Sequence, residues 1–276
     1  KIGIGTAVPQ SLIHTQASGS NGLMMQTPLG DHYIWGIQAA GNLMNGSTAG
    51  DLGIRAQSGI SVSANNGSGT QLRVDSSGRL LVGSTSSRSA GDVGAQLQVE
   101  GTTYHTSSLA LIANAGASAG NNSHLTLAKS RGSSDGSDTI LVDGDSIGIL
   151  QWAASDGTDL NSIAAEIRAK VNGSPGSNDM PGLLQFGTTA DGAAAPTTRL
   201  TIASTGFIGA GTVNPRRHLH IHNSASATVG FQMTNGATGE SNDSQGFQLK
   251  VASDLHAEVA QMENSYLSIY TNSLER

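Results

Sequence analysis

The residues best placed by type and spacing to do chemistry are three histidines in His218-Leu-His-Ile-His222. On a strand, alternate residues share a face. Three copies of such a face around an axis would gather at least six imidazoles, enough for an octahedral transition-metal site. The plainer reading makes His220 the His of a Leu-His-Ile strand, with His218 and His222 on the surface. Gly132-Ser-Ser-Asp-Gly136 has the spacing of a nucleophile elbow, which needs a strand before it and a helix after it. No helical pattern follows, and in a chain this rich in Gly and Ser the match is expected by chance. Asp135, Asp138, Asp143, Asp145, Asp156 and Asp159 crowd Gly-containing loops where oxygen ligands would suit calcium. Their spacing is not that of an EF-hand, and Asp is favoured in turns for backbone reasons. Trp35 and Tyr33, in Asp31-His-Tyr-Ile-Trp35, form either a small sugar platform or the core anchor of the block around them. No catalytic, cofactor-binding or metal-ligating residue is assigned from these patterns, and no cofactor is expected.

The elements that would carry these residues are unusual in composition. Of 276 residues, 37 are Gly and 36 are Ser. Charged residues make up 12% and aromatic residues 4%, against roughly 25% charged in an average domain. Aromatic side chains bury the most area each, so a large self-contained core is not expected. Disorder goes with low hydrophobicity and high net charge, yet this chain is 37% hydrophobic with a net charge of -6. Burial between identical chains resolves both facts. The absence of Cys excludes disulfides and thiolate metal sites. No run reaches the roughly 20 apolar residues of a membrane helix, no signal peptide is visible, and no basic cluster invites nucleic acid. The chain begins at Lys1 within a motif and is read as an internal piece of a longer polypeptide.

Three segments resemble one another. They are Lys1-Ile-Gly-Ile-Gly-Thr-Ala-Val-Pro9 with Leu12-Ile-His14, Leu72-Arg-Val-Asp-Ser-Ser-Gly-Arg-Leu-Leu-Val-Gly-Ser84, and Arg199-Leu-Thr-Ile-Ala-Ser-Thr-Gly-Phe-Ile-Gly-Ala-Gly-Thr212 with Pro215 and Leu219-His-Ile221. The shared pattern is a strand, a Ser/Thr-Gly turn, a second short strand and Gly-Thr/Ser, of which the first segment holds the second strand and Gly-Thr. Tyr266 to Arg276 reads as the lead-in to a fourth. The organisation expected is a joint at 1–16, a short β block at 17–71, a joint at 72–100, a larger β block at 101–197, a joint at 198–222, and a short block at 223–276. Within the blocks, Leu109–Ala113, His124–Ala128, Ile147–Trp152, Leu183–Phe186 and Leu200–Ala203 are expected to be strands, separated by Asp-Gly and Asn-Gly turns. Ile163 to Val171 satisfies both the helical and the alternating template. Its strict alternation and the Asn172-Gly173 turn that follows favour a strand.

The joints resemble repeats in the tail fibres of tailed bacteriophages, particularly marine and cyanobacterial ones. There a strand of the type Arg-Ile-Asp-Ser-Ser-Gly leads into Val-Gly-Ile-Gly-Thr, then Pro, then Leu-His-Val. Arg73-Val-Asp-Ser-Ser-Gly78, Ile2-Gly-Ile-Gly-Thr6 and Leu219-His-Ile221 match piece by piece. Gly182-Leu-Leu-Gln-Phe-Gly-Thr-Thr189 is also similar to such fibres. The resemblance implies an all-β, elongated homotrimeric fibre of small β-sandwich or β-prism blocks linked by short strand joints. It implies two identical partner chains, contact with other virion proteins, and a host-surface glycan or protein as target, without nucleic acid or membrane insertion. It places the protein on the virion as an exposed fibre, and implies that a self-cleaving intramolecular chaperone follows. A polysaccharide-degrading tailspike, and a head-attached fibre or cellular adhesin, are the alternatives.

Overall fold

The computed structural model describes residues 2–4, 13–15, 21–27, 30–36, 52–56, 58–63, 69–114, 116, 120–225, 227–240, 243–271 and 274–275. Within 2–36 and 270–275 it describes the backbone alone. All regular structure among these residues is β, with no helix, as the alternating apolar runs and Gly-bearing turns predict. The chain divides into two compact units, 1–123 and 124–276.

In the first unit, β1 (Ile2–Ile4) lies parallel to β2 (Ile13–Thr15). An antiparallel sheet follows, formed by β3 (Asn21–Thr27), β4 (Gly30–Gly36) and β5 (Leu52–Arg55). A four-stranded sheet takes β6 (Gly59–Val62), β7 (Leu72–Asp75), β8 (Leu80–Val82) and β9 (Leu97–Val99) in order, with β9 parallel to β8.

In the second unit, six strands stand side by side in chain order: β10 (Ser146–Ala154), β11 (Ser162–Val171), β12 (Gly182–Thr188), β13 (Thr197–Ile202), β14 (Ile208–Ala210) and β15 (Leu219–Ile221). All neighbours are antiparallel except β14 and β15, which are parallel. A three-stranded antiparallel sheet holds β16 (Val229–Met233), β17 (Phe247–Val251) and β18 (Ala257–Gln261). A short pair, β19 (Tyr270–Thr271) and β20 (Leu274–Glu275), ends the chain. In β11 the alternating pattern prevails over helix propensity because both flanks supply ladder partners: Ile167 stands opposite Leu150 on one side and Phe186 on the other.

Two sheets share a set of backbone hydrogen bonds. The β7–β8 turn closes by Asp75 N to Arg79 O (3.0 Å) and Gly78 N to Asp75 O (3.0 Å), and the β13–β14 turn by Ala203 N to Phe207 O (2.9 Å) and Gly206 N to Ala203 O (2.9 Å). Gly83 N then donates back to Gln71 O, and Gly211 N to Arg199 O. Glu100 N bonds Val82 O where His222 N bonds Ala210 O. Gly83 and Gly211 have φ of 79° and 75°. A Cβ on either would collide with a carbonyl oxygen, of Glu100 and His222 respectively. Only Gly fits such a close backbone approach.

A third hairpin has the same turn without the glycine. Between β17 and β18, Ala252 N bonds His256 O and Leu255 N bonds Ala252 O. Leu255 takes the position of Gly78 and Gly206, at φ 75°. The strand before it, Gln248-Leu-Lys-Val251, parallels Gln71-Leu-Arg-Val74.

Two expected strands are not strands within this chain. Leu109–Ala113 and His124–Ala128 have no regular structure and belong to no sheet. An apolar run gives strand propensity, but a strand exists only where a neighbour pairs its backbone.

Candidate interaction surface

The registers sort every side chain of the six-stranded sheet onto one of two faces. One row crossing all six strands is Leu150, Ile167, Phe186, Leu200, Ala210, Ile221. The next row on the same face is Gly148, Ala169, Leu184, Ile202, Ile208, Leu219. No polar residue interrupts either. The opposite face carries Ile149, Arg168, Gln185, Thr201, Gly209, His220. The four-stranded sheet divides likewise: Val62, Leu72, Val82, Val99 on one face, Ser61, Arg73, Leu81, Gln98 on the other. In the three-stranded sheet, Phe231, Leu249 and Val259 oppose a face with Gly230, Lys250 and Glu258. Ile221 lines one groove with Val229, Leu249 and Val259.

Burial runs opposite to polarity. No residue of the apolar rows is fully buried, and Leu150, Ile202, Ile208, Leu219, Phe231, Leu249 and Val259 are exposed. Of the fully covered side chains, Leu81 and Thr201 lie on polar faces, and Val171, at the end of β11, lies on the apolar one. The connecting loops explain this. A Cβ on Gly209 would meet Thr212 and Pro215, so the β14–β15 crossover lies over the polar face. Gln248 donates to Asp243 O and Gln245 O, tying the loop before β17 over the polar side of that sheet. The chain covers much of its polar faces with its own loops and leaves most of its apolar rows open, with Val171 and the Leu127 contact on Gly148 as the exceptions.

The charged groups are spent on turns and polar faces. Asp75 Oδ1 accepts from Ser77 N and Arg79 N, and Asp75 Oδ2 from Arg79 Nε at 2.8 Å. The Arg79 backbone amide, chiefly, holds this carboxyl below its ordinary pKa. Asp145 is lowered mainly by the Val142 amide, with Arg131 and Lys129 nearby. Asp156 is lowered by the amides of Thr158 and Asp159 and by the Ser162 hydroxyl. Glu258 is lowered by Lys250 and His256. Asp143 accepts from Gly173 N and Asp159 from Asn161 N. These aspartates of the Gly-rich loops therefore serve as turn caps.

The remaining sequence candidates do not converge. The His218 ring packs on Phe207 at 5.0 Å, while His220 and His222 face each other at 5.9 Å. Among the described residues no three His, Cys, Asp or Glu side chains are grouped to hold a metal ion. His220 Nδ1 and Thr201 Oγ1 are buried without a hydrogen-bond partner. Ser134, the nucleophile position of the Gly132–Gly136 pattern, lends its carbonyl to Ser137 N and Oγ, and no helix follows. The side chains of Tyr33 and Trp35 lie outside the described residues. Among the described residues no helix is long and apolar enough to cross a membrane.

No protein-family profile matches the chain, and no curated protein matches it. Among solved structures, it is similar to the carboxy-terminal domain of the bacteriophage T5 L-shaped tail fibre, with 14% identity and a TM-score of 0.46 over 88% of this chain and 99% of that one. It is also similar to that domain carrying its intra-molecular chaperone domain, with 13% identity and a TM-score of 0.44 over 83% of this chain and 65% of that one. What sequence reasoning missed is the third hairpin. Its signal was the Gln-Leu-Lys-Val match, hidden because Leu255 replaces the diagnostic glycine.

Proposed function

We propose that the chain is a structural, non-enzymatic segment of a homotrimeric phage tail fibre, extending the adsorption apparatus and presenting loops to the host surface. One observation carries this reading: unbroken apolar rows lie open on every described sheet of three or more strands with described side chains, while the covered side lies under the chain's own loops.

The joints at 1–16, 72–100 and 198–222 are copies of one unit of the kind found in marine and cyanobacterial phage fibres. Their motifs support this, as do the matching turn and crossover hydrogen bonds of the second and third copies. In the first, β1 pairs parallel to β2 with Ile2 opposite Ile13, as Ile208 pairs with Leu219. Attachment to the virion and contact with a host glycan or protein complete the reading.

Light scattering on the purified full-length fibre protein tests it, with gold-labelled antibody to residues 124–276 locating the segment on particles. A mass of three chains and labelling of the tail are expected. A well-folded monomer, or release of reducing sugar from host polysaccharide, overturns it.

A further inference from the structure

Residues 101–128 contain no Asp, Glu, Lys or Arg, yet they are open to solvent along their described length. Within them, Leu109-Ala-Leu-Ile-Ala113 is apolar on both faces, the pattern of a strand covered on both sides. In a single chain Leu109 is 69% exposed and Ile112 80%. Leu125 is 71% exposed, while Leu127 seats against Gly148 in the apolar row of β10. Among the described residues from Ser108 to Lys129, no backbone group is hydrogen-bonded within the chain. Natural sheets protect unpaired strands with charge, proline or bulges, and these two arms have no charge or proline. The outer edge of β10, Ser146-Ile-Gly-Ile-Leu-Gln-Trp-Ala-Ala154, is equally uncharged and pairs on one side only.

We propose that Leu109–Ala113 and His124–Ala128 are inter-subunit strands, which gain their backbone pairing from a second copy of this chain. The inference rests on the oligomeric reading above and sharpens it by naming where chains exchange hydrogen bonds. A second copy is the fitting occupant because the open surface far exceeds a single peptide's footprint and because the arms and the open β10 edge have the same uncharged character. A partner of other chemistry would leave every copy of the β10 edge unmatched.

Hydrogen exchange on the assembled full-length fibre, read at the amides of Leu109–Ala113 and Leu125–Ala128, tests this. Exchange slowed at least about a thousandfold relative to an unstructured peptide is expected. Random-coil exchange in a particle that scatters as an oligomer overturns the strand exchange and leaves the oligomeric reading standing. Protection that appears only when another protein is bound also overturns it, and a monomeric chain overturns both. Ala110→Pro supplies a second readout. It removes an amide that has no partner within one chain, so it is expected to weaken assembly at least tenfold. Unchanged assembly counts against the pairing.

Discussion

Leu249→Asp places a carboxylate in the middle of the Phe231–Leu249–Val259 row. These three side chains are 46%, 44% and 63% exposed in one chain, so in the proposed trimer roughly half of their burial would come from a partner. Full burial of such a side chain is worth about 1.5–3 kcal/mol, so the row gains about 3 kcal/mol per chain on assembly, close to 9 kcal/mol for three. The substitution removes Leu249's share, about 1 kcal/mol per chain. It also carries a carboxylate with no partner on that face into the interface, at several kcal/mol per ion. In a symmetric trimer all three charges arrive together. The variant is therefore expected to dissociate at concentrations where the wild type stays intact. Sedimentation velocity from nanomolar to micromolar protein measures this, with Gln185→Glu on the polar face as the control that leaves assembly unchanged. A Leu249→Asp variant that sediments as the wild type at every concentration would refute the assignment of this face to the interface.

Leu255→Gly is expected to stabilise the protein by about 0.5–1 kcal/mol per chain, because a non-glycine residue at φ 75° costs about 1–2 kcal/mol, partly offset by glycine's greater unfolded freedom. A higher melting temperature in calorimetry is the check, and the exposed Leu255 side chain gives up little packing. Gly211→Ala is expected to lose about 1–3 kcal/mol, since its Cβ points at the His222 carbonyl; a melting temperature equal to wild type would contradict the close approach. The pKa values of Asp75, Asp145, Asp156 and Glu258 are all depressed in the folded state. Each therefore contributes stability that is present above the ordinary carboxylate range and lost as pH falls through the lowered value. Thermal stability should decline below about pH 4, and Asp156→Asn should flatten that decline.

Much of the fold is legible locally. The Ser-Ser-Gly78 and Ser-Thr-Gly206 turns announce themselves because only Gly sits easily at their third position, and β11 is readable from its alternation. Leu255 hides an equivalent turn because the backbone geometry is kept while its usual residue is not. Leu109–Ala113 shows the opposite limit: propensity marks a strand, but pairing is a property of the partner and is not written in the run itself. Alternation also predicts that each strand has two faces without saying which is covered. Leu81 and Val82 are both apolar neighbours in β8, and the crossover toward β9 decides that Leu81 is the buried one. The candidate histidines were legible as a cluster, yet the His218 ring packs on Phe207 while His220 and His222 neighbour each other.

The division of labour between the two sides of each sheet carries a functional consequence. Salt bridges such as Arg168–Glu166 and Lys250–Glu258 lie on the polar faces, and Arg79–Asp75 closes a turn. The apolar rows hold no charge at all. If identical chains supply the second layer, each row residue acts three times in one interface, and a single polar substitution there is tripled. Residues of the polar-side loops, by contrast, act singly and against solvent. The hairpin loops 155–161 and 189–196 connect strands and contribute nothing to the rows, so their sequences are expected to change without touching assembly, provided caps like Asp156 remain. In the proposed fibre, recognition of a host surface would fall on those loops and not on the rows. Exchanging residues 190–195 for an unrelated loop should thus alter adsorption to host cells while leaving the sedimentation coefficient unchanged, and loss of assembly on that exchange would break the separation of roles.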